Sequence, residues 1–332
     1  MVKDSALFPL SLVADYSKRY PFIWAAAQTF RDWPEAPWDK SRCYIPIAAG
    51  CAICDFYRLP PSSVYMVPAL AAWRQGKEVY TFDPDLAEAL YAQATDTKLP
   101  CQVLMRLPFY CIYIDSGKYR FFAHLENDSE SDYWELRFAR IRDDGTPAAS
   151  YLHLGDYTLG ESILAGLEAS QSNADHIPDN PAAAELLEYA LHHPERTDYE
   201  DTLDPVALGE MLQLVLYICA DNADVRQPED NKRTYRGSGS GTPKDKYREI
   251  RKWDTGYYVG AALRKNAKAP GSSEKQPYQG GTKRPHMRRG HWHHYWRGQE
   301  GKKEIILHWV LPIFVNGDHP DSDPPARITP IK

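Results

Sequence analysis

The sequence predicts an α+β fold: a helical N-terminal part, a central antiparallel meander, a helical layer, and a C-terminal β-hairpin in a basic region. Three observations predict it. Apolar residues recur at helical spacing through the first hundred positions. From Cys101 onward, aromatic and β-branched residues lie between turn signals. Close to the C-terminus, a segment dense in His, Arg and Trp precedes a hydrophobic strand.

Taken in order, Pro21 to Phe30, Ile47 to Arg58 and Leu70 to Gln75 have the spacing of helices, and Asp83-Pro84 supplies an N-cap aspartate with proline at the first helical position. FYCIYID (Phe109 to Asp115) and KYRFFAHLE (Lys118 to Glu126) read as a hairpin about the turn Asp115-Ser116-Gly117. DYWELRFARIR (Asp132 to Arg142) alternates, and Asp144-Gly145 turns the chain toward Tyr151 to Leu154, which completes a meander. Thr158 and Glu161 have capping-box spacing, with a helix expected to about Ala169. Asn180-Pro181 and Asp204-Pro205 open two further helices. The second is apolar nearly all round (Met211, Leu212, Leu214, Val215, Ile218), as suits the middle of a helical layer. His192 and His193 fall at a helix end before Pro194, where imidazole complements the helix dipole.

The composition excludes several classes. A hydrophobic content of 43% allows a substantial core and argues against disorder. Leu10 to Ala14 is too short and too acidic in its flanks for a signal peptide, and no uncharged stretch approaches the roughly 20 residues of a membrane span. A cytoplasmic protein is expected. Of the six cysteines only Cys51 and Cys54 have C-x-x-C spacing, one turn apart on a helix expected to be buried, where core packing is favoured over redox chemistry; the others also read as core thiols, and without a second pair a zinc ribbon is not indicated. Asp115 with Glu126 can be imagined around a metal, but turn capping and solvation of the acidic run Glu126 to Asp132 are the simpler roles.

The net charge of −6 conceals a division. Lys232 to Lys303 carries 19 Lys and Arg against 5 Asp and Glu, leaving −20 on the remainder. Three regions are expected: an acidic α+β body over 1–232, a basic connecting segment over 233–281 interrupted by Gly and Pro, and a His/Arg/Trp-rich region over 282–332. GSGSGTP (Gly237 to Pro243) lacks both the Lys-Ser/Thr ending of a phosphate loop and a preceding strand, and reads as a flexible connection.

KRPHMRRGHWHHYWRG, Lys283 to Gly298, is the chemically dense stretch. If extended, it places His291, His293 and Tyr295 on one face and Trp292, His294 and Trp296 on the other, the indole face expected to turn inward, with IILHWVLPIFV from Ile305 to Val315 as the pairing strand. One reading makes His291 and His293, joined by His308 or His286, an acid and base for phosphodiester cleavage beside Arg288 or Arg289. A second binds zinc, but a fourth ligand is lacking. In a third, Lys283, Arg284, Arg288 and Arg289 contact phosphates while Trp292, Tyr295 or Trp296 stack on bases. A purely structural role would tie a Gly290 turn to the sheet over core tryptophans.

KRPHMRRGHWHHYWRG followed by HWVLPIFVNG (His308 to Gly317), together with LPFYCIYID (Leu107 to Asp115), resembles the C-terminal signature and central strand of a type V-A anti-CRISPR family, the large inhibitor that suppresses biosynthesis of the Cas-twelve-a effector nuclease. The resemblance implies a phage or plasmid silencer that recognises the N-terminal polypeptide of its target during translation and lowers its mRNA. The acidic body would hold the peptide, and mRNA, the ribosome or a host nuclease would be further partners. No cofactor and no metal are implied. A metal-independent ribonuclease and a plain protein-binding inhibitor remain as alternatives.

Overall fold

A computed structural model describes residues 7–60, 63–93, 95–96, 98–128, 133–142, 145–164, 205–227, 250–267, 286–299 and 304–315. The helix expected at Asn180-Pro181, the His192-His193 pair, the Gly237 to Pro243 connection, Lys283 and Arg284 lie outside them.

Four helices come first: α1 (Leu7–Arg19), α2 (Ile23–Asp32), α3 (Ile47–Tyr57) and α4 (Ser63–Gly76). α4 begins earlier than the periodicity suggests and carries Pro68 in its interior. The ring fits against α3 because residue 50 is glycine; a Cβ there would stand 2.7 Å from Pro68 Cγ. β1 (Glu78–Phe82) follows, then α5 (Pro84–Tyr91), whose N-cap Asp83 accepts from the amides of Asp85 and Leu86 at 3.0 and 3.4 Å. A short 3-10 helix, Cys101–Arg106, leads into the meander β2 (Cys111–Asp115), β3 (Arg120–Asp128), β4 (Tyr133–Ile141) and β5 (Pro147–Leu154).

The Thr158–Glu161 capping box is formed, with Glu161 accepting from the Thr158 amide at 2.7 Å, and residues 159–164 are helical. α6 (Pro205–Cys219), β6 (Val225–Arg226), β7 (Arg251–Thr255) and α7 (Tyr257–Ala267) come next. β8 (His286–Arg288), β9 (His291–Arg297), β10 (Glu304–Val310) and β11 (Ile313–Val315) end the described chain.

The main sheet has seven strands in the order β5-β4-β3-β2-β1-β7-β6. The expected meander is present, but β1 runs parallel to both β2 and β7, so the sheet is mixed. β7 and α7 lie within the stretch read as connecting segment; residues 250–267 are part of the fold, not a linker. β7 has few apolar residues because its attachment is partly ionic: Glu78, fully buried on β1, receives Trp253 Nε1 at 2.6 Å and Arg251 at 3.0 Å. Burial raises the pKa of Glu78, and these donors offset part of that rise.

Side chains alternate across the sheet. Val79, Cys111, Tyr113, Phe122 and Ala139 pack into one core with α1 to α4. Tyr80, Phe82, Ile112, Ile114, Phe121 and Leu125 pack into another with α5, α6 and the C-terminal strands. The α1 to α4 face also holds a buried ionic group: Arg137 bridges Glu126 at 2.6 Å and Glu135 at 2.5 Å, and Glu126 accepts from the Ile47 amide at the start of α3 at 2.7 Å. Burial, reinforced by Arg137, drives the pKa of His124 down to about 3. Asp115 accepts from the Gly117 amide and from Arg120, so it acts as a turn cap.

The cysteine expectation needs one correction: Cys54 is buried on α3, but Cys51 is exposed. Both thiols are pushed up by burial, Cys54 to about 12. No helix among the described residues is long and apolar enough to cross a membrane.

Candidate nucleic-acid interface

The basic motif folds as one long antiparallel ribbon with a break in the middle. β9 pairs with β10 and β8 with β11; between the two ladders, Arg289-Gly290 faces Leu311-Pro312. Pro312 has no N–H to give a ladder. Gly290 lets its strand cross over Trp309, since a Cβ there would stand 2.9 Å from Trp309 Cζ2. The expected hairpin is therefore present and extends further toward both termini.

One face is fastened to α6. Trp292 and Trp309 are direct cross-strand partners and both are buried. Trp292 Nε1 donates to Gln213 Oε1 at 2.6 Å, and Trp309 packs edge-on against Tyr217. Asp221 and Asn222, just after α6, bond the outer edge of β10: the Asp221 amide donates to Leu307 O at 2.8 Å, and Asn222 both donates to Trp309 O and accepts from its amide at 2.9 Å. Arg106 from the 3-10 helix ties Asp221 and Glu304 together at 2.7 and 3.1 Å and reaches the carbonyl of Ile305.

This arrangement sorts the sequence candidates. Trp292 cannot stack on a base, because it is only 7% exposed and serves the core. Trp296 shares its face but lies beyond the contact with α6 and is 49% exposed, contrary to the expectation that the indoles turn inward together. On the opposite face, His293 and Arg297 are exposed and His291 is partly so. His293 lies directly across from His308, and the Tyr295 ring stands 5.9 Å from His293 and 5.6 Å from His308. His291 faces Val310 instead, so the register pairs His293 with His308 and leaves His291 aside. Arg288 and Arg289 are exposed at the break. His286 sits on β8 opposite Val315. Among the described residues, no three His, Cys, Asp or Glu gather as a metal site would need.

Sequence reasoning passed over Gln213, Asp221, Asn222 and Arg106, which hold the ribbon. The signal for Gln213 was present as a lone amide inside an apolar helix; the other three are ordinary surface types with no local mark.

A concavity of about 730 Å³ opens at the amino ends of β2 and β7. Leu107, Pro108, Phe109, Tyr110 and Cys111 wall it, with Arg42, Gln75 and Arg251 among its polar groups. Arg42 is exposed and bonds the carbonyl of Met105.

Together these features define an α+β protein with a mixed sheet between helical layers and a firmly held β-ribbon that presents Arg, His and Tyr outward. The chain belongs to the AcrVA2-like family, anti-CRISPR type V subtype A2, whose model matches residues 80–317. The crystal structure of AcrVA2 is similar in fold, with a TM-score of 0.58 at 17% identity over 92% of this chain and 98% of that one. No curated protein matches the sequence.

Proposed function

We propose that this anti-CRISPR protein silences an effector nuclease during its synthesis, recognising the nascent N-terminal polypeptide of the target and lowering its mRNA. The observation that carries the reading is the family match over residues 80–317 combined with a ribbon that exposes Arg288 and Arg289 at its break and His293, Tyr295 and Arg297 on its outer face. Basic and aromatic side chains on a rigid support suit RNA, whether free or ribosomal. The peptide would be held by the body. The concavity walled by Leu107 to Cys111 supports this, since it offers a short peptide an apolar wall and two guanidinium groups.

The deciding experiment recodes the first codons of the target. Synonymous recoding should leave loss of transcript and protein intact, whereas changing the encoded peptide should abolish both. The opposite pattern would reject peptide recognition.

A second reading is favoured by one observation, the cross-strand placement of His293 and His308. Two opposed imidazoles can serve as acid and base in metal-independent RNA cleavage. Purified protein that cuts RNA in chelator, and stops on His308→Ala, would establish it.

A further inference from the structure

We propose that Tyr257, Tyr258 and Arg226 form a stacking platform for single-stranded RNA, extending the contact made by the ribbon. The proposal rests on reading the ribbon as an RNA contact.

Tyr257 and Tyr258 open α7 and are 49% and 58% exposed, although only Gly256 separates them from a strand of the main sheet. Their rings meet edge to face with centroids 5.1 Å apart, and the Arg226 guanidinium lies 3.3 Å from the Tyr257 centroid and 5.6 Å from that of Tyr258. Arg226 is held in turn by Asp254 at 3.6 Å across the β6–β7 pair.

The backbone beneath the rings is fixed. Asp224 accepts from the amides of Tyr258 and Val259 at 2.6 and 3.0 Å, which caps α7. Gly256 makes the preceding turn at φ +82°, where a Cβ would stand 2.2 Å from Leu86 Cδ2. Because the Asp224 carboxylate occupies these first amides, the helix end is not an anion cradle. What the site offers is ring faces and a guanidinium plane. Stacking on such groups tolerates any base and is how single strands are gripped without sequence preference.

Continuity with the ribbon comes from a single loop. Asp221 and Asn222 bond the edge of β10, Asp224 caps α7 two residues later, and Arg226 stacks on Tyr257 two residues after that. The segment from Lys232 to Lys303, which supplies α7 and the first two strands of the ribbon, carries an excess of 14 positive charges, which favours an anionic partner, and the exposed ring faces favour nucleic acid among such partners.

The test measures binding of the full-length protein to labelled oligouridine of about twelve nucleotides by fluorescence anisotropy. Tyr257→Ala with Tyr258→Ala should weaken binding about tenfold, and Tyr257→Phe with Tyr258→Phe, which keeps the rings, should stay within about twofold. Tyr258→Ala alone, at the more exposed ring, should lose severalfold and guards against misfolding of the double variant. Arg288→Ala with Arg289→Ala reports separately on the ribbon. If the arginine variant loses affinity while both alanine variants at the tyrosines bind as wild type, the platform is overturned and the ribbon reading stands. If wild type does not bind oligouridine, both fall. If the alanine variants lose target peptide but not oligouridine, the patch is a protein contact and the proposal is rejected.

Discussion

His293 on β9 and His308 on β10 are direct partners across the ribbon, on the face turned away from α6, with Tyr295 in contact with both rings. This relationship decides how the histidines are to be tested. His291 is opposed by Val310, so a cleavage mechanism built on the adjacent pair His291 and His293 has no cross-strand partner for its first member. With the ribbon acting as an RNA contact, His308→Ala should leave silencing largely intact, and purified protein should not cut RNA in chelator. Transcript measurement in cells and gel analysis of labelled RNA check the two halves.

Arg288 and Arg289 are exposed where the ribbon breaks. Removing two phosphate contacts from a single-stranded RNA complex should lower the steepness of log affinity against log salt by about 1.4. Arg288→Ala with Arg289→Ala should therefore bind weakly and respond less to salt. An unchanged slope in a salt titration would place these arginines off the RNA.

Trp292 and Gln213 tie the ribbon to α6 by a buried hydrogen bond of 2.6 Å. Trp292→Phe removes the donor and strands the amide oxygen, at a cost of about 1–3 kcal/mol. Chemical denaturation should register this loss, while RNA affinity of the folded fraction should hold, because the indole faces the core.

Arg42 lies on the rim of the concavity in the body, remote in sequence from the ribbon. With the concavity holding the target's N-terminal peptide as proposed, Arg42→Glu should change peptide affinity about tenfold by reversing a charge in the cleft, and leave oligouridine affinity unchanged. Titration calorimetry with the peptide and anisotropy with the oligonucleotide separate the two surfaces.

His124 is buried on β3, and its pKa is lowered to about 3 from an ordinary value near 6.5. Between those values the unfolded chain binds a proton at this position that the native protein does not, so stability falls as pH drops through the window. About 2 kcal/mol should be lost from this group between roughly pH 6.5 and 5, and His124→Gln should flatten that part of the profile in urea melts at several pH values.

The parts of the fold that were legible in the sequence were local. Asp83 before Pro84, the Thr158–Glu161 capping box and the Asp115 turn each carry their own hydrogen-bonding partner within a few residues, and each is formed. The alternation of Trp292 and Tyr295 was legible too, because a strand's period of two needs no knowledge of what it faces. β1 and β7 were not legible. Each is five residues long, and their parallel pairing joins segments about 170 positions apart. The buried Glu78 that links them looks, in isolation, like a surface residue.

The sequence by itself determined the α+β composition, the basic C-terminal third, and a ribbon with two chemically different faces. The tertiary structure alone decided which face is free. Gln213 and Tyr217 on α6 claim Trp292 and Trp309 for the core, while Asp221 and Asn222 close the ribbon's edge, so His293, Tyr295 and His308 are left to the outside. The physical reason is that a strand's alternation defines two faces but not their environments; these depend on the element packed against one of them, and here that element lies about 80 residues away.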